Sequence, residues 1–291
     1  MNHVAALRAH WAAFRRDGPA RAALLLLVLL VIAAIAAPLI SPQDPHDLAQ
    51  LDILDARQPP GTAAATGHHY WLGSDDQGRD MLSAILHGLR ISLGVAVGAT
   101  ALALAIGLAA GLIAARSGGW IDLALMRAVD LQLSFPAILV ALILLAFSGP
   151  GLDRIVIALV AVQWAYFART TRAVAVTELQ RDYIAAAVCA GVRPRRLLWR
   201  HLLPNVLPPL LVVATVQLAQ AVTLEATLSF LGLGLPVTEP SLGLLIANGY
   251  THLLSGKYWI SVFPGLALLA MIVSINLVGD RLRDLFDPRS Q

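Results

Sequence analysis

The sequence predicts an all-α integral membrane protein with six transmembrane helices. Hydrophobic residues make up 58% of the 291-residue chain and charged residues only 13%, about half the charged share of a soluble domain. Mean hydropathy is +0.72, so a globule of this composition in water would expose a large continuous apolar surface. Six apolar stretches also approach the ~20 residues a helix needs to cross a bilayer, where every backbone group must pair internally.

The six stretches are residues 22–40, 93–115, 131–148, 155–168, 206–224 and 258–278. They divide the chain into a cytoplasmic amino-terminal segment (1–21), a six-span domain (22–278) and a cytoplasmic carboxyl tail (279–291). Within the domain, residues 41–92 form an extracytoplasmic loop and residues 169–205 a cytoplasmic one. The first stretch exceeds the roughly 7 to 15 residues of a signal-peptide core and follows about twenty others, which favours a retained span over a cleaved signal, although Ala34 and Ala36 resemble a cleavage site. The fourth is short. The fifth carries Pro208 and Pro209 near its start, which membrane helices tolerate. Between the fifth and sixth, residues 228–236 read LSFLGLGLP, too short to cross a bilayer. Such irregular backbone belongs against protein or a cavity, away from lipid.

Arginine placement sets the orientation, because Lys- and Arg-rich loops stay in the cytoplasm. Arg8, Arg15, Arg16 and Arg21 precede the first span, and Arg116 and Arg127 lie between the second and third. Arg169, Arg172, Arg181, Arg193, Arg195, Arg196 and Arg200 lie between the fourth and fifth, and Arg281, Arg283 and Arg289 follow the sixth. All fall on one side. The opposite side holds Arg57, Arg79, Arg90, Arg154 and Lys257, and its first loop carries Asp44, Asp47, Asp52, Asp55, Asp75, Asp76 and Asp80. The formal charge of +3 therefore reflects membrane orientation, and no nucleic-acid partner is expected. Cys189 is the single cysteine, which excludes an intrachain disulfide and a Cys-based zinc site.

Nucleotide chemistry is not expected in this chain. A phosphate-binding loop ends in Gly-Lys-Ser/Thr; the one lysine, Lys257, follows Gly256, but Tyr258 stands at the hydroxyl position and Thr251 where the first glycine belongs. His68 and His69 are adjacent, so their side chains diverge and read as solvated loop residues, and no metal is expected. Nor do a nucleophile, base and orienting group assemble into an enzyme site. Three polar residues near the outer end of the fifth stretch, Gln217, Gln220 and Glu225, are candidates for a passage. An ionisable group near hydrocarbon is functional by default, yet Glu225 has the equal alternative of tying together the LSFLGLG segment. Arg79 and Asp80 read as a structural pair capping a helix that begins near Met81, or as a receptor contact.

Residues 182–205 read DYIAAAVCAGVRPRRLLWRHLLPN. A cytoplasmic loop has no need of an apolar Tyr-Ile-Ala-Ala-Ala-Val patch unless a small-sided helix is to enter a groove. This segment resembles the coupling segment of ATP-binding-cassette importer permeases, in which Glu-Ala-Ala followed by a glycine forms a short helix that fits the ATPase subunit. Ala186, Ala187 and Gly191 match; Ala185 replaces the glutamate and Val188 the frequent arginine, which removes an ion pair. Residues 72–93, LGSDDQGRDMLSAILHGLRISL, are similar to the Gly-Thr-Asp-x-x-Gly-Arg-Asp signature of the peptide and nickel branch. Asp75, Gly78, Arg79 and Asp80 stand at matching positions and Ser74 in place of threonine. SFLGLG at 229–234, FPG at 263–265 and NLVGDRLRDLFDP at 276–288 extend the likeness over nearly everything beyond residue 20.

The resemblance implies a type I ABC importer permease fold and the shorter, C-type permease of a five-part machine. A longer B-type sister permease, two ATP-binding subunits holding ATP and Mg, and an extracytoplasmic substrate-binding protein would complete it. It implies coupling residues at Tyr183, Ala186, Ala187, Gly191, His201, Pro204 and Asn205, cargo of di- or oligopeptides, and alternating access driven by ATP. Nickel, glutathione and opine systems share the plan, and a proton-driven secondary transporter through Glu225 is the alternative of a different class.

Overall fold

The computed structural model describes residues 17–45, 51, 53–63, 69–236 and 238–286. Arg8, Arg15, Arg16, Asp47, Asp52, His68, Arg289 and the end of the tail lie outside the described residues.

Helix α1 (Gly18–Ile40) starts where the Asp17 carboxylate accepts from Ala20 N at 3.3 Å, and it buries a stripe of small residues, Ala20, Ala23, Ala34 and Ala37. Its leucines and isoleucines are largely exposed, as lipid-facing residues are. A loop with one two-stranded antiparallel sheet, β1 (Thr62–Ala63) and β2 (His69–Tyr70), leads to α2 (Met81–Ser117). Helix α3 (Gly119–Ser134) and α4 (Ala137–Ser148) follow, then α5 (Leu152–Leu179), the eight-residue α6 (Asp182–Cys189) and the single turn α7 (Pro194–Leu197). A π-helical turn, Leu198–Leu202, feeds α8 (Leu203–Phe230); the short α9 (Leu242–Tyr250) and the long α10 (Trp259–Phe286) complete the chain.

The core lies where α2, α5, α8, α9 and α10 meet, around Met81, Leu159, Val222, Leu228, Leu242 and Met271. Helices α2 and α5 cross closely because Gly107 and Gly111 lack side chains: a Cβ at Gly107 would overlap Phe167 and the Trp164 carbonyl, and one at Gly111 would overlap Thr171. Where lipid tails are as apolar as leucine, such small-residue contacts draw helices together. Arg281 near the end of α10 lies 3.5 Å from Asp17 at the start of α1, so these two ends share one side of the molecule.

Two expectations are corrected. The stretch 131–148 is not one continuous helix, since α3 ends at Ser134 and α4 leaves at 90° to it. Pro136 has no N–H to continue a helix and holds Phe135 extended (φ −97°, ψ 142°). The helix that holds the fourth stretch is longer than 155–168, because α5 runs unbroken to Leu179 on a buried stripe of Ala165, Ala168, Thr171 and Ala175. Arg169 and Arg172 are thus on a helix and outside any loop. Among the described residues, α1, α2, the run from Pro194 to Phe230 and α10 are long and apolar enough to cross a membrane, and the α3–α4 pair makes a fifth if its two bent halves are taken as one span.

Candidate functional site

The segment between α5 and α8 is held as an elbow. The Tyr183 hydroxyl of α6 donates to Glu178 Oε2 at 2.6 Å, and Asn205 Nδ2 donates both to Tyr183 Oη at 3.1 Å and to the His201 carbonyl at 2.7 Å. Burial and the Glu178 hydrogen bond push the Tyr183 pKa up to about 12, which keeps the hydroxyl a donor to the carboxylate. One phenol thereby ties the end of α5, helix α6 and the beginning of α8. Ile184 is buried beneath the elbow, while Ala185, Ala186, Val188 and Cys189 are exposed, with Trp199 beyond them. Gly191 ends the motif at φ +70°, and Val192 N donates back to the Ala187 carbonyl at 3.1 Å. A left-handed residue after a short helix is the usual glycine C-terminal stop. Of the expected coupling residues, Ala187 and His201 are half-buried, and Tyr183, Ala186, Gly191, Pro204 and Asn205 are exposed. The outward side of α6 is apolar at Ala185, Ala186, Val188 and Cys189 and is flanked by the exposed Arg181, Asp182 and Arg193.

Asp75, Arg79 and Asp80 are buried, whatever they touch in an assembly. Asp75 Oδ1 accepts from Gln77 N at 2.8 Å and Arg79 N at 2.9 Å, and Oδ2 takes the Arg79 Nε at 2.6 Å. Burial pushes the Asp75 carboxyl above the usual carboxylate range while the Arg79 charge pulls it down. Gly78 (φ +79°) makes the turn between them. Asp80 caps α2, its Oδ2 accepting from Ser83 N at 2.8 Å and Ser83 Oγ at 2.7 Å. Trp259 at the head of α10 donates to the Ser74 carbonyl at 3.1 Å. This knot fastens the first loop to α2 and α10, with Asp80 as the cap and Arg79 paired to Asp75.

The three passage candidates separate. Gln220 is exposed, but Gln217 and Glu225 are buried, so neither of the latter offers a surface to cargo within this chain. The backbone carbonyl of Gln217 accepts from Gln163 Nε2 at 2.8 Å. Glu225 accepts from Ser92 Oγ of α2 at 2.7 Å, from Ser229 Oγ at 2.8 Å and from the Ser241 side chain. It binds α2 to α8 and to the start of α9, beside the LSFLGLG segment, whose Gly234 carbonyl accepts from Gly151 N at 3.2 Å. Glu225→Gln, which keeps an acceptor for one serine, is expected to lower apparent stability by about 1 kcal/mol, and Glu225→Ala by about 2–3 kcal/mol. Uptake per assembled complex should remain near wild type in Glu225→Gln; thermal unfolding of the purified complex, paired with transport, checks both.

Sequence reasoning missed two ion pairs between α3 and α5. Arg172 clasps Asp122 with Nε at 2.7 Å and Nη2 at 2.6 Å, and Arg169 Nη2 meets Asp130 at 2.5 Å. The continuing small-residue stripe of α5 could have revealed that Arg169 and Arg172 are helical. Among the described residues no three His, Cys, Asp or Glu side chains cluster as a metal site.

Several of the described helices are long and apolar enough to cross a membrane, and an exposed elbow joins α5 to α8. The chain belongs to the family of binding-protein-dependent transport system inner membrane components, whose model matches residues 107–291. A second model, the N-terminal transmembrane domain of oligopeptide transport permease C, matches residues 6–60. The di/tripeptide transport system permease protein DppC of Pseudomonas aeruginosa is 36% identical over 97% of this chain and 92% of its own length. The dipeptide transport system permease protein DppC of Escherichia coli K12 is also 36% identical, over 97% and 93%. The chain shares its fold with the inward-facing MetNI methionine ABC transporter at a TM-score of 0.56 and 23% identity, over 71% of this chain and 98% of that one.

Proposed function

We propose that this chain is the C-type permease of an ATP-driven peptide importer and forms half of its translocation pathway beside a B-type sister. Peptide cargo follows from the di- and tripeptide permeases that this chain resembles over nearly its full length. The observation that carries the coupling role is the elbow, an exposed apolar helix locked by Tyr183 to both long helices. ATP and Mg act in two separate ATPases, and a substrate-binding protein delivers cargo to the outer face. ATP binding draws the coupling helices together; α5 and α8, joined through the elbow, carry the motion into the spans and switch the passage from inward-open to outward-open. In this reading α5 and the bent α3–α4 pair complete six spans, with both termini and Arg193 cytoplasmic and Asp75 extracytoplasmic.

The test is reconstitution of the five-part complex in vesicles, where dipeptide uptake should require ATP; gradient-driven uptake without ATPases would favour a secondary transporter. On a Cys189→Ala background, single cysteines replacing Trp71 and Arg195, both exposed, should label from opposite sides. Labelling of both from one side would end the six-span arrangement.

A further inference from the structure

We propose that the groove between α3 and α5 is a cargo-contact site on the passage that takes a zwitterion, an ammonium on Asp130 and a carboxylate on Arg169. This rests on the peptide-import reading and adds a site to it. The apolar run of α5 begins at Ile155 and Arg169 follows 14 positions later, ~21 Å along the helix at 1.5 Å per residue. In the six-span reading proposed above, with Ile155 at the outer boundary of the hydrocarbon, that falls short of its ~30 Å thickness. Yet Arg169 and Asp130 are 52% and 53% exposed in their side chains. Charges at such depth do not face lipid; they turn to a bundle interior or a water-filled path.

The two ion pairs differ in a way that selects this one. Arg172 holds Asp122 through two hydrogen bonds, and Asp122 is 19% exposed. That pair is a closed interhelical clasp. Arg169 spends one nitrogen on one oxygen of Asp130, which leaves the other guanidinium donors and the second carboxylate oxygen open to a ligand. Both pairs line one cavity of about 570 Å³ with Leu123, Met126 and Ala173, within the size range of small-molecule sites. Five residues beyond Asp130, Phe135 and Pro136 break the chain between α3 and α4 and are exposed. A peptide's two termini are the opposite charges this open pair can exchange for, while the apolar wall accepts varied side chains.

The experiment uses the assembled complex, Cys189→Ala throughout, with Ala173→Cys as an exposed reporter in the groove and Met126→Cys as a second on the opposite wall. In the nucleotide-free state, a charged, membrane-impermeant thiol reagent should modify the reporter, and dialanine should protect it. N-acetyl-dialanine amide, which lacks both charges, should not. Arg169→Gln or Asp130→Asn should raise the half-protecting dialanine concentration by roughly 10- to 100-fold, as loss of one charge-assisted hydrogen bond requires. No modification of either reporter would mean that this face is covered by another helix. Equal protection by both probes, or protection unchanged in the variants, would mean occlusion without charge recognition. Each result overturns the site. Dialanine uptake by the parent complex is measured alongside: uptake without protection removes the site and leaves the peptide reading standing, whereas absent uptake with charge-dependent protection removes the peptide reading and leaves the site.

Discussion

In complexes compared at equal membrane-inserted amounts, Ala186→Asp is expected to cut uptake and cargo-stimulated ATP hydrolysis together by at least about tenfold, while cargo binding to the separate receptor stays normal. Ala186 is exposed in this chain, so an aspartate there disturbs neither α6 nor the elbow and the permease inserts as before. Its cost arises at docking, where an unpaired carboxylate loses water against a small apolar groove at several kcal/mol, and each ~1.4 kcal/mol is a factor of ten in affinity. Gly191→Val should uncouple by another route. The site where a Cβ would stand meets nothing within 4 Å, so the penalty is backbone alone: at φ +70° a β-branched residue is a genuine outlier, and the left-handed conformation costs roughly 1–2 kcal/mol even for ordinary residues. The chain after α6 would leave at a different angle and carry Trp199 away from the docking surface. If both variants transport and stimulate hydrolysis like wild type, the elbow is no coupling element.

The apolar runs made the membrane class readable, since composition alone forbids a soluble globule, and Gly191 was readable because a glycine after a short alanine-rich helix has one common use. Asp80 announced the start of α2 through the same local logic, as an acceptor one residue before Met81. What escaped was pairing across distance. Glu225 lies 133 residues from Ser92, and nothing near either residue in the sequence tells a passage carboxylate from a tie between helices. Arg169 looked like the first residue of a basic loop because charge was read ahead of the buried stripe beneath it, and its partner Asp130 is 39 residues away. The break at Phe135–Pro136 was visible as a proline, but hydropathy averaged over the run hid its 90° consequence.

Single substitutions in the Asp75–Arg79 pair are expected to damage the fold more than removing both charges at once. Arg79 is 1% exposed and Asp75 fully buried, so Asp75→Asn removes the carboxylate that faces the Arg79 Nε at 2.6 Å and sets an amide N–H₂ against donors. Arg79→Met leaves a carboxylate whose burial already raises its pKa without the charge that opposed the rise. Breaking a buried pair from one side costs about 3–5 kcal/mol, whereas replacing it with neutral groups of similar volume is often near neutral. Asp75→Asn combined with Arg79→Met should therefore be more stable than the sum of the singles by about 1–3 kcal/mol. The knot also seats Trp259 through the Ser74 carbonyl, so each single change should loosen the head of α10 and lower the yield of assembled complex. Apparent unfolding temperatures of the four purified complexes give the ranking, and binding of the loaded receptor to the survivors separates the roles. Additive losses would show that the two charges do not stabilise each other. Singles of wild-type stability that no longer bind the receptor would place Arg79 at a docking surface, against its burial beneath the loop.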